Sequence, residues 1–181
     1  KLELQIVDLA QLIRRTAESM QVIAEIHQTK LTLQTSNTFP AHTDPDAIEK
    51  ILHNLISNAL KYTQDAGEVI ITLGPTDPKE EYPYIRITVE DNGVGISPEF
   101  KGYVFDRFYR VPEKSLIDGS GIGLNLTKKL IQQCGGTIEI ESPIYESIER
   151  PGTRVSVELP RLPIPHKSTT KSESPELNPT P

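Results

Sequence analysis

The chain of 181 residues carries a formal net charge of −6, is 36% hydrophobic and 24% charged, and holds one cysteine. Those proportions describe a soluble globular protein with room for one domain of ordinary size, and the acidic balance argues against nucleic acid as a main partner. No apolar run approaches the roughly 20 residues a membrane helix needs, so no membrane contact is expected of this stretch, and the lone Cys134 excludes an internal disulfide and suits a reducing compartment.

Lys1 opens the chain without an initiator methionine, and the sequence reads as a piece of a longer protein. Leu2, Leu4 and Ile6 alternate with polar residues, which predicts a strand with one face buried. Asp8 reads as an N-cap with Gln11 completing a capping box, and Leu9, Leu12, Ile13, Ala17, Met20, Ile23 and Ala24 keep helical spacing to about His27. No acidic residue immediately follows His27, and its place in the last turn suits the helix dipole, so no chemistry is expected of it. Leu31 and Leu33 mark the next strand.

Asp44-Pro45 supplies a cap and a first helical residue, and Ile48, Ile51, Leu52, Leu55, Ile56 and Ala59 form a buried stripe running to about Tyr62. Asn54, Asn58 and Lys61 fall at i, i+4 and i+7, on one line along that helix. Asparagine is a poor helix former, so the line is either a solvated polar face or a set of side chains in use. An amide oxygen suits Mg²⁺, and the Lys61 ammonium suits a phosphate.

Val69, Ile71 and Leu73, then Ile85, Ile87 and Val89, alternate as two strands around a proline-rich loop from Gly74 to Pro83. The second strand delivers Asp91-Asn92-Gly93-Val94-Gly95-Ile96, a fixed carboxylate beside backbone that can turn and approach a ligand closely. A carboxylate there can accept a hydrogen bond from the exocyclic amino group of adenine, whereas the carbonyl of guanine sets acceptor against acceptor. The plainer alternative is an Asp-Asn-Gly hairpin turn, although Val94-Gly95-Ile96 does not resume alternation.

Ser97 to Ser120 is weakly periodic and carries Phe100, Tyr103, Phe105, Phe108 and Tyr109; a connection this long predicts a mobile lid. Phe105 and Phe108 are expected to anchor it on a short helix, with Arg107 and Arg110 meeting a phosphate, a partner or solvent. Gly119-Ser120-Gly121-Ile122-Gly123-Leu124 runs straight into the helical pattern Leu124, Thr127, Leu130, Ile131 and Cys134, so its amides and helix N-terminus form an anion site. Cys134 reads as a small buried hydrophobe. Gly135-Gly136 stop the helix, and Ile138 and Ile140, then Val155, Val157 and Leu159, give two last strands.

Residues 1–160 are expected to form one domain, with 161–181, rich in Pro, Ser and Thr, a disordered tail or linker. Six strands, three helices and a glycine-rich lid predict an α/β (α+β) sandwich whose mixed, mostly antiparallel sheet is covered on one face by the helices. A carboxylate at one end and a phosphate cradle at the other suggest a nucleotide. No Gly-x-x-x-x-Gly-Lys-Ser/Thr follows a strand, which removes the P-loop class.

These residues resemble the ATP-binding catalytic (HATPase) domain of two-component sensor histidine kinases, in the superfamily shared with gyrase, mismatch-repair and chaperone ATPases. His53 to Thr63 looks like the N box and Asp91 to Ile96 like the first glycine box. Val104 to Arg110 matches the F box, and Gly119 to Leu124 the second glycine box. The resemblance implies ATP and Mg²⁺ as ligands, with Asn58 on the metal, Asn54 and Lys61 near the phosphates, and Tyr62 against base or sugar. It further implies Asp91 on the adenine amino group, Gly93, Gly95 and Ile96 shaping that pocket, and Thr153 supporting Asp91 through water. Gly119, Ser120, Gly121, Ile122, Gly123 and Leu124 would be lid and phosphate loop, with Arg110 reaching the γ-phosphate once the lid closes.

Hydrolysing members of the superfamily carry a glutamate where this chain has Asn54, and an amide cannot take a proton from water, so transfer to an external acceptor is favoured. In the kinases the acceptor is a histidine on a dimerising hairpin. None of His27, His42, His53 or His166 has that motif, so the hairpin is expected ahead of Lys1. The resemblance thus implies the phosphoacceptor and dimerisation domain as partner and a response regulator as indirect partner. It implies a monomeric fragment of a homodimeric protein, and a cytoplasmic domain of a protein that can be anchored in the inner membrane. The loops 74–83 and 143–151, longer than the family needs, are expected as tolerated insertions. The competing reading is a regulatory ATP-binding module, of the anti-sigma kind, that binds a partner without phosphotransfer.

Overall fold

A computed structural model describes residues 2–35, 38–63, 66–76, 84–112 and 120–160. Among them the chain runs β1 (Gln5–Asp8), α1 (Leu9–Ile26), β2 (Lys30–Gln34), β3 (Pro40–Thr43), α2 (Pro45–Tyr62), β4 (Glu68–Pro75), β5 (Tyr84–Asp91), α3 (Gly123–Gln133), β6 (Thr137–Glu141) and β7 (Thr153–Pro160). The tail 161–181, residues 77–83 of the loop 74–83, and residues 113–119 of the expected lid, Gly119 among them, lie outside the described residues.

Five strands form one sheet in the order β2-β4-β5-β7-β6, with β2 parallel to β4 and every other pair antiparallel. Alternation sends Val69, Ile71 and Leu73, Ile85, Ile87 and Val89, and Val157 and Leu159 into the core. The helices lie against that face. Ile48, Ile51, Leu52, Leu55 and Ile56 of α2 are at most 2% exposed, because α2 packs between α1, α3 and the sheet. Burying a side chain of this size stabilises by about 1.5–3 kcal/mol. The opposite face of the sheet is polar, tied by the pairs Lys30–Glu68, Arg86–Glu158 and Arg154 with Glu90 and Glu141. The result is the expected sandwich, with helices on one face of a mixed, mostly antiparallel sheet.

The N-terminal strand departs from its expected burial. Leu4 and Ile6 are 51% and 72% exposed, and Val7 is the residue of β1 that packs against the core. The reason is its partner: β1 pairs not with the main sheet but with β3, a short strand that the sequence reading does not contain, and the register Ile6↔His42 turns Ile6 outward. Asp8 caps α1 by accepting from the Ala10 amide at 3.1 Å, and from the Phe39 amide at 3.0 Å, in place of the expected box with Gln11. Asp44 caps α2 through Ala47 N at 3.1 Å and holds the N-terminal arm through Glu3 N at 2.9 Å. These backbone amides keep its carboxyl below the usual aspartate range.

Residues 97–109 form consecutive turns closed by i→i+3 bonds, among them Tyr103 N to Phe100 O at 3.0 Å, and not the expected short helix. Phe108 is not an anchor: it is 61% exposed, with φ of 67°. Val104 is the buried residue of this segment. A second tie comes from Asn125 of α3, whose amide donates to the Phe105 carbonyl at 2.8 Å.

Candidate functional site

Because a strand presents every second residue to the core, Asp91 follows Ile85, Ile87 and Val89 onto the buried face of β5, where it is 7% exposed. A carboxylate in an apolar row is costly unless it is hydrogen-bonded. Asp91 Oδ1 accepts from the Gly93 amide at 2.9 Å, and in the register with β7 its direct neighbour is Thr153.

The turn after Asp91 is shaped by the C-terminal end of α2. A Cβ on Gly93 would lie 2.2 Å from the Tyr62 carbonyl oxygen, and Val94 N donates to that same oxygen at 3.2 Å. Gly95 has φ of 61° and lies against Pro151. Beneath it sits Ser142, 2% exposed, whose Oγ accepts from Ile96 N at 2.7 Å and donates to the Gly152 carbonyl at 2.7 Å. Thr153 Oγ1 reaches Ser142 Oγ at 3.4 Å. Asn92 turns the other way, its Oδ1 accepting from Glu68 N at 2.7 Å.

The N-terminal end of α3 meets α2 two turns earlier. A Cβ on Gly123 would lie 2.3 Å from Asn54 Oδ1, and Asn54 Nδ2 donates to Thr127 Oγ1 at 2.8 Å. The cap residue of α3, Ile122, offers no side-chain bond, so the first amides of the helix stay available for an anion. Gly121, with φ of 66°, lies against the Phe108 backbone, and its carbonyl accepts from Phe108 N at 2.8 Å.

A cleft of about 300 Å³ opens between these parts. It brings together Asn54, Asn58, Lys61, Tyr62, Asp91, Gly95, Ile96, Arg110, Ser120, Gly121, Gly123, Leu124 and Thr153, thirteen of the residues singled out from sequence. Gly93 and Ile122 do not line it; they stand behind the turns that do. The lining also includes Leu55, Ala59, Val89, Val104, Ile140 and Val155, an apolar bed of the kind that receives a flat ring. Lys61 Nζ stands 5.3 Å from the Tyr62 ring centroid. Burial raises the Tyr62 phenol above its usual range, and the nearby charge of Arg110 opposes that shift.

Sequence reasoning passed over Ser142 and Thr127. Ser142 has no local signal, since its partners lie 46 and 10 positions away. Thr127 falls on the apolar stripe of α3 and reads there as a core position. Tyr109 carries a raised phenol, through burial first and then the neighbouring Tyr103, Glu99 and Asp106. The loop 143–151, expected as a tolerated insertion, packs against the first glycine turn through Pro151, while its Tyr145 lies against Gly152.

Residues 43–163 match the family model for histidine kinase-, DNA gyrase B- and HSP90-like ATPases. The chain is similar to a histidine kinase of Formosa agariphila, 39% identical over 130 residues, covering 69% of this chain and 9% of that protein. It is also similar to the sensor histidine kinase WalK of Bacillus subtilis, 40% identical over 119 residues, 65% of this chain and 18% of the relative. It thus spans less than a fifth of either relative. Among solved structures, the mycobacterial sensor histidine kinase MprB superposes with a TM-score of 0.74 at 25% identity over 90% of this chain and 100% of that one. ShkA, solved at full length in complex with AMPPNP, gives 0.72 at 26% identity over 91% of this chain and 32% of that chain.

Proposed function

This chain belongs to the family of histidine kinase-, DNA gyrase B- and HSP90-like ATPases, and on that premise we propose that it is the ATP-binding catalytic domain of a sensor histidine kinase, with residues 1–160 as the domain. The observation that carries the reading is the order of groups along α2. Its Tyr62 end touches the turn that holds Asp91, its Asn54 end touches the glycine start of α3, and Asn58 and Lys61 lie between. Eight residues of helix separate the ends by about 12 Å. A buried acceptor above an apolar bed at one end, an amide against a helix N-terminus at the other, and Asn58, Lys61 and Arg110 lining the cleft with them fit a purine joined to a polyphosphate.

In this reading Asp91 accepts from the adenine amino group, with Thr153 beside it and Gly93, Gly95 and Ile96 shaping the wall. Tyr62 faces base or sugar. Lys61, Arg110 and the amides around Ser120, Gly121, Gly123 and Leu124 hold the phosphates, with Gly119 and Ile122 in the same loop. The Asn58 amide oxygen fits Mg²⁺, a hard ion that keeps several waters and takes few protein ligands. Bound Mg²⁺ supplies charge neutralisation on the phosphate oxygens. Asn54 cannot act as a base toward water, so the site is suited to aligning the γ-phosphoryl group for an external imidazole. The P–O bond to ADP breaks as the P–N bond forms, and the imidazole releases its proton. The acceptor is a histidine on the dimerisation domain of the same protein, and a response regulator takes the phosphoryl group onward.

Calorimetric titration with a non-hydrolysable ATP analogue and with GTP, with and without Mg²⁺, tests the assignment on the parent, Asp91→Asn and Asn58→Ala. The expected result is binding of the adenine nucleotide alone, its loss in Asp91→Asn, and loss of the Mg²⁺ dependence in Asn58→Ala. A folded parent that binds no adenine nucleotide overturns the reading.

A further inference from the structure

Asn54 carries the two opposite ends of an amide, and which end faces the phosphate half of the cleft decides whether that position offers an acceptor or a donor. Nothing on α2 itself sets the choice. Two groups of α3 constrain it together: Thr127, 2% exposed, anchors the amide with its Oγ1 2.8 Å from Asn54 Nδ2, and because a hydroxyl can serve either end of an amide, Gly123 selects between the ends. Asn54 Oδ1 then lies against Gly123, close enough that a Cβ there would stand 2.3 Å away. The reverse orientation turns the NH₂ group toward the Gly123 α-carbon, where it meets no acceptor, while the present one sets oxygen against weak C–H donors.

We propose that Thr127 is a positioning residue for the nucleotide site: its hydroxyl holds the Asn54 amide with the oxygen toward the glycine start of α3, so that the cleft receives an acceptor for the water shell of a phosphate-bound Mg²⁺. The proposal rests on the ATP·Mg²⁺ reading above and deepens it. A hydroxyl buried on an otherwise apolar helix stripe, with its partner on a different helix 73 positions away, is satisfied by this bond. Valine has nearly the same shape and would fill the space without it, which is what makes the hydroxyl separable from the packing.

The test compares the parent chain with Thr127→Val and Thr127→Ser. Side-chain ¹⁵N NMR reads the clamp without nucleotide: in Thr127→Val the Asn54 NH₂ resonances shift and exchange faster with solvent, and in Thr127→Ser they return toward the parent. Calorimetry with the non-hydrolysable ATP analogue then reads its effect. The expected result is that Thr127→Val loses about tenfold of the affinity gained from Mg²⁺, keeps its Mg²⁺-free affinity within twofold, and is restored by Thr127→Ser. An unchanged Mg²⁺ gain in a folded Thr127→Val overturns the proposal even if its NMR signals move, and unmoved NMR signals overturn it regardless of nucleotide. A parent that binds no nucleotide while the clamp behaves as described refutes the ATP reading and with it the Mg²⁺ role, whereas a parent that binds ATP analogue with Mg²⁺ while the clamp fails refutes this proposal alone.

Discussion

Gly123→Ala separates stability from ligand binding at this site. The added methyl would stand 2.3 Å from Asn54 Oδ1 and 3.0 Å from its Cγ, where ordinary contact begins near 3.4 Å, so about 1 Å of movement is needed. The helices α2 and α3 are held by their buried faces, and the amide is the part that can move. Turning it aside gives up the bond to Thr127, about 0.5–1.5 kcal/mol, and forces a rotamer cost of similar size, about 0.5–1.5 kcal/mol. Against this, alanine is the better helix former by at most about 1 kcal/mol, less at a first helical position. The net is a loss of roughly 0–3 kcal/mol, a fall in Tm of some 0–12 °C for a domain of this size. The displaced amide no longer faces the phosphate end, so affinity for the ATP analogue with Mg²⁺ drops at least tenfold, about 1.4 kcal/mol. Scanning calorimetry and titration on the same preparation decide it. Parent-like affinity in the presence of Mg²⁺ would refute the reasoning, as would a chain that fails to fold.

Three further outcomes follow from the same geometry. Gly93→Ala sets its methyl 2.2 Å from a backbone carbonyl at the end of α2, which cannot rotate away; overpacking costs about 1–3 kcal/mol, and thermal scans should show a clear drop in Tm together with loss of adenine binding. Asp44 titrates below its ordinary 3.8 because backbone amides favour the carboxylate. Its stabilisation is therefore complete above that pH and lost as pH falls through the lower folded value, so denaturant unfolding of Asp44→Asn should show a flatter slope below about pH 4 than the parent. Tyr145 donates to Glu90 Oε1 at 2.6 Å, and burial together with that carboxylate raises its phenol to about 12. The contact contributes below pH ~10 and is lost as pH rises toward the folded value. The difference in phenolate absorbance between parent and Tyr145→Phe should accordingly have its midpoint near the raised value and not near 10.

Legibility from sequence followed the range of the interactions. The stripe of α2 and the alternation of β5 are local, and both elements lie where those patterns put them, α2 ending at Tyr62 and β5 at Asp91. Asn54, Asn58 and Lys61 stood out because two amides in mid-helix have no local use. Asp91 stood out because a charge occupied a core register. By contrast, β3 is four residues long and begins with proline, too short for a period to show, and without it the outward register of Ile6 had no visible cause. Phe108 looked like an anchor from its i, i+3 spacing to Phe105. Its positive φ follows from pairing with Gly121, thirteen residues on, which spacing within the F box does not encode.

The two glycine motifs read as separate signals along the chain, each with its own reason for flexibility. In three dimensions they share one cause. Gly93 lacks a side chain because the Tyr62 carbonyl occupies that space, and Gly123 lacks one because the Asn54 amide does. Both neighbours belong to α2. The close approach that each glycine permits is therefore to this helix first and to a ligand second, and the turn and the α3 start are placed at the two ends of a ruler about 12 Å long. That makes the spacing between the Asp91 end and the anion end a property of α2 and not of the loops. Changes within α2 that preserve its stripe but shift Asn54 relative to Tyr62, such as a one-residue insertion between them, should move the two half-sites out of step while leaving each turn intact.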